Sequence, residues 1–442
     1  MNHLVSDNKV LFFHMKNLIG PFILVLCFSM PGKINSQQFV ANYDESKVPE
    51  YTLPDPLVYD NGRNVKNIRA WEKRRDEIYK KFETEVYGAS PDWDGQIIPS
   101  ELSSTTDALG GKAIRREMKL TLRNGDRSLD MIMLLYLPKS ENPVPLFLGY
   151  NFGGNHSVTP EPGIMVTTSW IRNNASTGIT ENKATEEGRG KGASSWQAEE
   201  LIKRGYGLAT IYYGDVDPDY DDGFKNGVHG LYDQLPDSSS WGSIAGWAWG
   251  LSRAMDYLQT LESVDPAKVI VIGHSRLGKT ALWAGASDKR FAMVISNNSG
   301  CGGAALSRRA YGETVGRINT SFPHWFCENF NKYNENEKML PVDQHQLLAL
   351  IAPRPVYVAS AADDQWADPR GEFLSCLHAS PVYKLFRKKG IPVNAMPPVN
   401  KPVSGTIGYH IRSGGHAVTL YDWQQYLDFA DKHIMHNPSL NP

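Results

Sequence analysis

The chain has 442 residues and a formal charge of -2, which leaves no electrostatic case for binding nucleic acid or an anionic membrane. That length exceeds an average domain but suits one large α/β domain with elaborations, and no internal repeat or low-complexity tract divides it. Eleven tryptophans and twenty tyrosines mostly serve a core of that size. No pair of cysteines or histidines stands at zinc-ligand spacing, so no metal is expected.

Near the N-terminus, Lys16 precedes an apolar run over residues 18–30. The run is too short to span a bilayer comfortably and has the pattern of an export signal, with a retained membrane anchor as the alternative. Cleavage is expected near Ser36-Gln37, although Ile34 makes a poor small-residue site. Met15-Lys16-Asn17 resembles the true start of such a signal, so residues 1–14 read as an upstream extension. Cys27 lies in the run, and Leu26 before it argues against lipoprotein cleavage. The expected location is secreted or periplasmic, where Cys301, Cys327 and Cys376 permit at most one disulfide.

Residues 37–66 are polar and carry Pro49, Pro54 and Pro56, the composition of an extended lead-in over a domain surface. Residues 71–86 repeat at helical spacing until Gly88. Residues 113–137 suggest an antiparallel strand pair, and residues 144–150 a buried strand running into Asn151-Phe-Gly-Gly-Asn-His156. Residues 157–195 lack periodicity, as a long functional or disordered loop does. Helices are expected at 196–204 and 244–261, around 347–350, and over 371–389 and 418–436. Further strands are expected at 207–213, 291–296, 355–360 and 405–410. Strands alternating with helices argue for a mainly parallel central sheet with helices on both faces, in a single domain over residues 67–442.

The chain centres on residues 268–280. Val269 to Ile272 is a β-branched run with the character of a buried parallel strand. Gly273 permits a sharp turn, and a helix begins near Leu277. Strand, tight turn with a central serine, and helix form the nucleophile elbow of the α/β-hydrolase fold, which lifts Ser275 out of the sheet. The second glycine stands one place later than usual, giving Gly273-His-Ser-Arg-Leu-Gly278.

A serine nucleophile needs a base, and the base needs a carboxylate to hold its tautomer. In this fold they follow in the order Ser, acid, His, each just past a strand. Asp363 and Asp364 stand beyond the strand at 355–360, and His416 stands in a glycine turn before the last helix. His410 competes with His416 but is expected inside a strand, and His274 is expected to point away from the serine. The backbone N–H of Arg276 suits an oxyanion hole, and its guanidinium is within reach of the same charge. The turn at 151–156 would supply a second N–H, because its glycines let a ligand approach closely.

The elbow, Gly246-Trp-Ala-Trp-Gly-Leu-Ser-Arg, Ser299-Gly-Cys-Gly-Gly-Ala-Ala-Leu-Ser-Arg-Arg309 and Asp364-Gln-Trp-Ala-Asp-Pro369 together resemble the glucuronoyl esterases. These are carbohydrate esterase family 15, here in its bacterial branch. The resemblance implies cofactor-free cleavage of the ester between a (4-O-methyl) glucuronic acid branch of glucuronoxylan and a lignin alcohol. Carried over by position, Ser275 would be the nucleophile, His416 the base and Arg276 an oxyanion stabiliser. Lys279, one turn past Ser275, would bond sugar hydroxyls, and Glu313 and Trp366 would help hold the glucuronate. Where many members carry a catalytic glutamate this chain has Asn298, so the acid is expected at Asp364, in the Asp-x-Trp register, ahead of Asp363. A monomer is expected. The alternatives are an acetyl xylan esterase or other carbohydrate deacetylase on the same fold, and a degenerate carbohydrate-binding protein.

Overall fold

Short apolar runs separated by amphipathic segments build a ten-stranded sheet in the computed structural model, which describes residues 39–233 and 237–435. The export signal, Cys27, the expected cleavage point and His436 lie outside the described residues. The strands are β1 (Gln96–Asp107), β2 (Ala113–Asn124), β3 (Arg127–Pro138), β4 (Val144–Asn151) and β5 (Gly207–Tyr212). They continue with β6 (Val264–His274), β7 (Met293–Asn297), β8 (Val356–Ala361), β9 (Val403–Ser404) and β10 (Ile407–Arg412). Across the sheet the order is β1-β2-β3-β5-β4-β6-β7-β8-β10-β9. From β5 to β10 each neighbour is parallel, while β1 to β3 form an antiparallel flank and β9 pairs antiparallel at the other edge.

The helices that pack on it are α1 (Ile68–Phe82), α2 (Ala198–Lys203), α3 (Ser243–Leu258), α4 (Arg276–Ser287), α5 (Gln344–Ile351), α6 (Pro369–Leu385) and α7 (Leu420–Ala430). Alternate residues of β6 serve opposite faces, as the two-residue repeat of a strand requires. Val269 and Val271 join a core with α1 and α3 to α6, whereas Ile270 and Ile272 join a second core with α2 and α7. Both faces of this strand are therefore dry, which is why it reads as a continuous apolar run.

One strand was not anticipated, and two expected helices differ in outline. The strand β1 is polar and largely exposed along its length, so no alternating pattern announces it. The helix expected at 196–204 is two short turns, Ala193–Trp196 and Ala198–Lys203, separated by Gln197 at φ 46°. The closing helix runs Leu420–Ala430 and widens into a π turn over Asp431–Met435. Cys301, Cys327 and Cys376 are all buried free thiols, so the one disulfide that export would permit is not formed among them. Residues 157–195 hold only short turns and a two-residue ladder, Ile179–Thr180 with Lys183–Ala184. Arg189 pins this excursion by donating to the backbone oxygens of Glu161 at 2.9 Å and Ile164 at 3.0 Å.

Candidate active site

Ser275 leaves the end of β6 at φ 58°, ψ -128° and caps α4. A non-glycine residue there stores about 1–3 kcal/mol of backbone strain, which the surrounding turn must over-determine. Gly273 does so: a Cβ at that position would lie 1.8 Å from the carbonyl oxygen of Leu277. The displaced second glycine has its own reason. A Cβ on Gly278 would sit 3.0 Å from Ser299 Cβ and 3.1 Å from Ser296 Oγ, so α4 packs closely on the end of β7. Arg276 is the first residue of α4, where a backbone N–H has no intrahelical acceptor and faces whatever lies before the helix.

His416 Nδ1 and Asp364 Oδ2 are 2.6 Å apart. Asp364 is buried, and Asn298 donates its side-chain amide to the same oxygen at 2.7 Å. Burial would raise the Asp364 pKa, but the bonds from His416 and Asn298 outweigh it and hold the carboxyl below its ordinary range. Asp363 is exposed, and its backbone N–H instead bonds Gly414 O at 3.0 Å. His410 lies in β10, buried between Asp422 Oδ1 at 2.9 Å and the Tyr357 hydroxyl at 3.0 Å. His274 bonds Asn297 Oδ1 at 2.7 Å, and its ring centroid lies 4.4 Å from that of His416. Burial, then the neighbouring His416, pushes the His274 pKa down to about 3, so it stands neutral behind its partner.

Arg276 turns its guanidinium onto Asp219 and stacks over Trp325, with 4.8 Å from Cζ to the ring centroid. Asp219 is buried and also accepts from His324 Nε2 at 2.9 Å and Trp325 Nε1 at 2.8 Å. Burial opposes its charge, but His324 and Arg276 hold the carboxyl well below its ordinary range. The Nε–H of Arg276 finds no acceptor among the described residues. Sequence reasoning missed Asp219, which lies in a polar excursion with no periodicity to mark it.

Lys279 is buried, donating to Ser299 O at 2.5 Å with Glu313 Oε2 at 3.8 Å. Burial pushes the Glu313 pKa up, against the pull of Lys279. The Glu313 backbone N–H bonds Trp366 O at 3.0 Å, coupling its loop to the acid loop. Ser275, Arg276, Lys279, Glu313, Asp364, Trp366 and His416, the seven residues singled out from the sequence, line one cavity of about 730 Å³ that opens to solvent. Beneath it lies Glu372, also missed, because a helix-leading glutamate has no distinguishing pattern. Glu372 accepts from the N–H groups of Ser299 at 2.8 Å and Gly300 at 3.0 Å and bonds Ser360 Oγ at 2.6 Å.

In the turn after β4, Asn151 donates to Asn155 Oδ1 at 2.8 Å, and Asn155 donates to Ile132 O at 2.8 Å. Gly154 takes φ 86°, a conformation that suits glycine. This holds the turn in place and brings Phe152 within 5.7 Å of the Arg276 guanidinium carbon.

A serine at a strained elbow, an imidazole backed by a carboxylate, and cations around one cavity equip the site for acyl transfer to and from a hydroxyl. A family model of fungal glucuronyl esterases matches residues 195–386. The carbohydrate esterase MZ0003, from an unknown prokaryotic organism, is 52% identical over 399 residues, covering 89% of this chain and 92% of the relative. A solved glucuronoyl esterase from Solibacter usitatus is 48% identical at a TM-score of 0.83, with 88% of this chain and 100% of that one covered. The 4-O-methyl-glucuronoyl methylesterase of Schizophyllum commune is 28% identical, covering 77% of this chain and 75% of the relative. The chain is a carboxylic ester hydrolase of the α/β-hydrolase fold and belongs to the glucuronoyl esterases, carbohydrate esterase family 15.

Proposed function

We propose that this chain is exported and hydrolyses the ester joining (4-O-methyl) glucuronic acid branches of glucuronoxylan to an alcohol of lignin. His416 takes the proton of Ser275 as its Oγ attacks the ester carbonyl carbon, and Asp364 stabilises the imidazolium that forms. The backbone N–H of Arg276, the turn after β4 and the Arg276 guanidinium meet the charge on the carbonyl oxygen. The acyl C–O bond breaks, His416 protonates the departing alcohol, and an acyl-Ser275 ester remains. Water then attacks that ester with His416 again as base, releasing the acid and restoring Ser275.

The observation that carries this reading is the pairing of His416 with Asp364 in the cavity that holds Arg276, Lys279 and Glu313. The sugar ring of a glucuronate ester carries hydroxyls that charged side chains such as Lys279 and Glu313 can bond, whereas an acetyl group needs only a small apolar slot. Among the described residues no helix is long and apolar enough to cross a membrane. The test compares benzyl glucuronate with 4-nitrophenyl acetate. Preference for the glucuronate, abolished in Ser275→Ala while glucuronate binding persists, is the expected result. Preference for the acetate, or equal activity of the variant and the parent, overturns the assignment.

A further inference from the structure

Residues 42–45 precede every strand and helix named above, yet they meet a loop of the catalytic cavity. That loop, residues 309–313, lies between β7 and β8 and ends at Glu313; the acid loop, residues 364–368, follows β8 and carries Trp366. Gly312 sits between the early segment and the acid loop. Its N–H bonds Asn42 O at 2.9 Å, and a Cβ there would lie 2.5 Å from Trp366 O. The Tyr311 hydroxyl stands 3.1 Å from Tyr43 O and 2.6 Å from Gln365 Oε1, so one phenol joins all three pieces of chain. Arg309 joins them by charge, donating to Asp368 Oδ2 at 2.8 Å and to Glu45 Oε1 at 2.6 Å. Asp368 closes the acid loop at φ 51° and caps α6 by accepting from the Gly371 N–H at 2.9 Å. Arg370, in the first turn of α6, adds a bond to Glu45 at 3.1 Å.

We propose that residues 42–45 form a strap in which Glu45 and the backbone oxygens of Asn42 and Tyr43 position Glu313 and Trp366 for the sugar half of the ester. The inference rests on the esterase reading above, with those two side chains against the glucuronate. The Arg309 side chain is 3% exposed and that of Glu45 is 40% exposed. The buried guanidinium thus takes one carboxylate from the acid loop and a second, from the solvent side, out of a segment 264 positions away. Without the strap, the Gly312 N–H opens to water, and the Glu313 backbone keeps its bond to Trp366 O without support from behind. A small displacement of a substrate-holding group weakens binding even when its cause lies far from the reacting atoms. Ser275 takes its geometry from the elbow and Asp364 takes its own from Asn298 and His416. The strap therefore acts on substrate binding, and the chemical step is left as it is.

The test is steady-state kinetics of the full chain, Glu45→Gln, Tyr311→Phe and Lys47→Gln on benzyl glucuronate and 4-nitrophenyl acetate. Glu45→Gln removes the charge facing Arg309, and Tyr311→Phe removes the hydroxyl between strap and acid loop. Lys47 pairs within its own segment, with Asp44 at 3.7 Å, and serves as the control. Glu45→Gln and Tyr311→Phe should each raise KM for the glucuronate about threefold, the scale of one partly exposed ion pair or one hydrogen bond. Their kcat should stay within about twofold of the parent, as expected when uniform binding is lost. KM for the acetate, which has no sugar to position, should stay within about twofold in both. Lys47→Gln should match the parent on both esters. An unchanged glucuronate KM in either strap variant, an equal rise on both esters, an equal rise in Lys47→Gln, or a fall in kcat alone overturns the strap and leaves the esterase reading standing. A parent inert on the glucuronate overturns the esterase reading and the strap with it.

Discussion

Asn298 donates its amide to Asp364 Oδ2, the same oxygen that bonds His416 Nδ1, at 2.7 and 2.6 Å. Asn298, just past β7, is a neutral donor, and the carboxylate stands one strand over, beyond β8. An amide cannot stabilise an imidazolium, but it can orient the group that does. The left-handed backbone of Asn298, at φ 47°, is a conformation asparagine tolerates better than most residues.

Asp364→Asn should therefore lower kcat by about 10³–10⁴, because an amide there leaves the imidazolium without an anion. Asp363→Asn should stay within about twofold of the parent, a change too small to signify lost transition-state stabilisation. Steady-state kinetics on benzyl glucuronate distinguish the two, and a large loss in Asp363→Asn would move the acid role there.

Asn298→Ala removes one charge-assisted bond and puts a less tolerant residue at positive φ. The expected cost is about 1–3 kcal/mol of stability, with kcat lowered by about tenfold as Asp364 loses orientation. Thermal unfolding and kcat are the measurements. Unchanged kcat would mean that the surrounding loop alone holds the acid.

In the proposed reaction Arg276 meets the carbonyl oxygen from the position in which Asp219 and Trp325 hold it. Arg276→Ala should cost about 10²–10³ in kcat, the range for one oxyanion donor. Asp219→Asn should reproduce part of that loss. It should also cost about 2 kcal/mol of stability, below the range for a fully buried pair because Arg276 is partly exposed. If Asp219→Asn lowers stability and leaves kcat untouched, the pair is structural only.

Burial pushes the pKa of Glu372 from its ordinary 4.5 up to about 8. The folded chain then binds a proton that the unfolded chain releases between those values, so this group's stabilisation is lost as pH rises. Glu372→Gln keeps the shape and removes the ionisation. Melting temperatures at pH 5 and pH 8 should fall less with rising pH in the variant than in the parent. A parallel fall in both would show that Glu372 stays ionised, held so by the Ser299, Gly300 and Ser360 donors.

The sequence alone determined the features with local physics. The β-branched run of β6 marks a strand buried on both faces, and Gly273 marks a turn that a side chain would obstruct. The order of Ser275, the Asp363-Asp364 pair and His416 follows from where a parallel sheet delivers its strand ends. What only the tertiary structure decided depends on partners distant in the chain. Asp219 pairs with Arg276 across 57 positions, so its loop shows no signature. The choice of Asp364 over Asp363 is a matter of which side chain turns inward, and the two are indistinguishable by type or place. The exposed strand β1 forms because β2 offers it a hydrogen-bonded edge, and a polar sequence carries no trace of that neighbour. Gln197 interrupts the expected helix at φ 46°, a left-handed conformation that the local spacing does not announce.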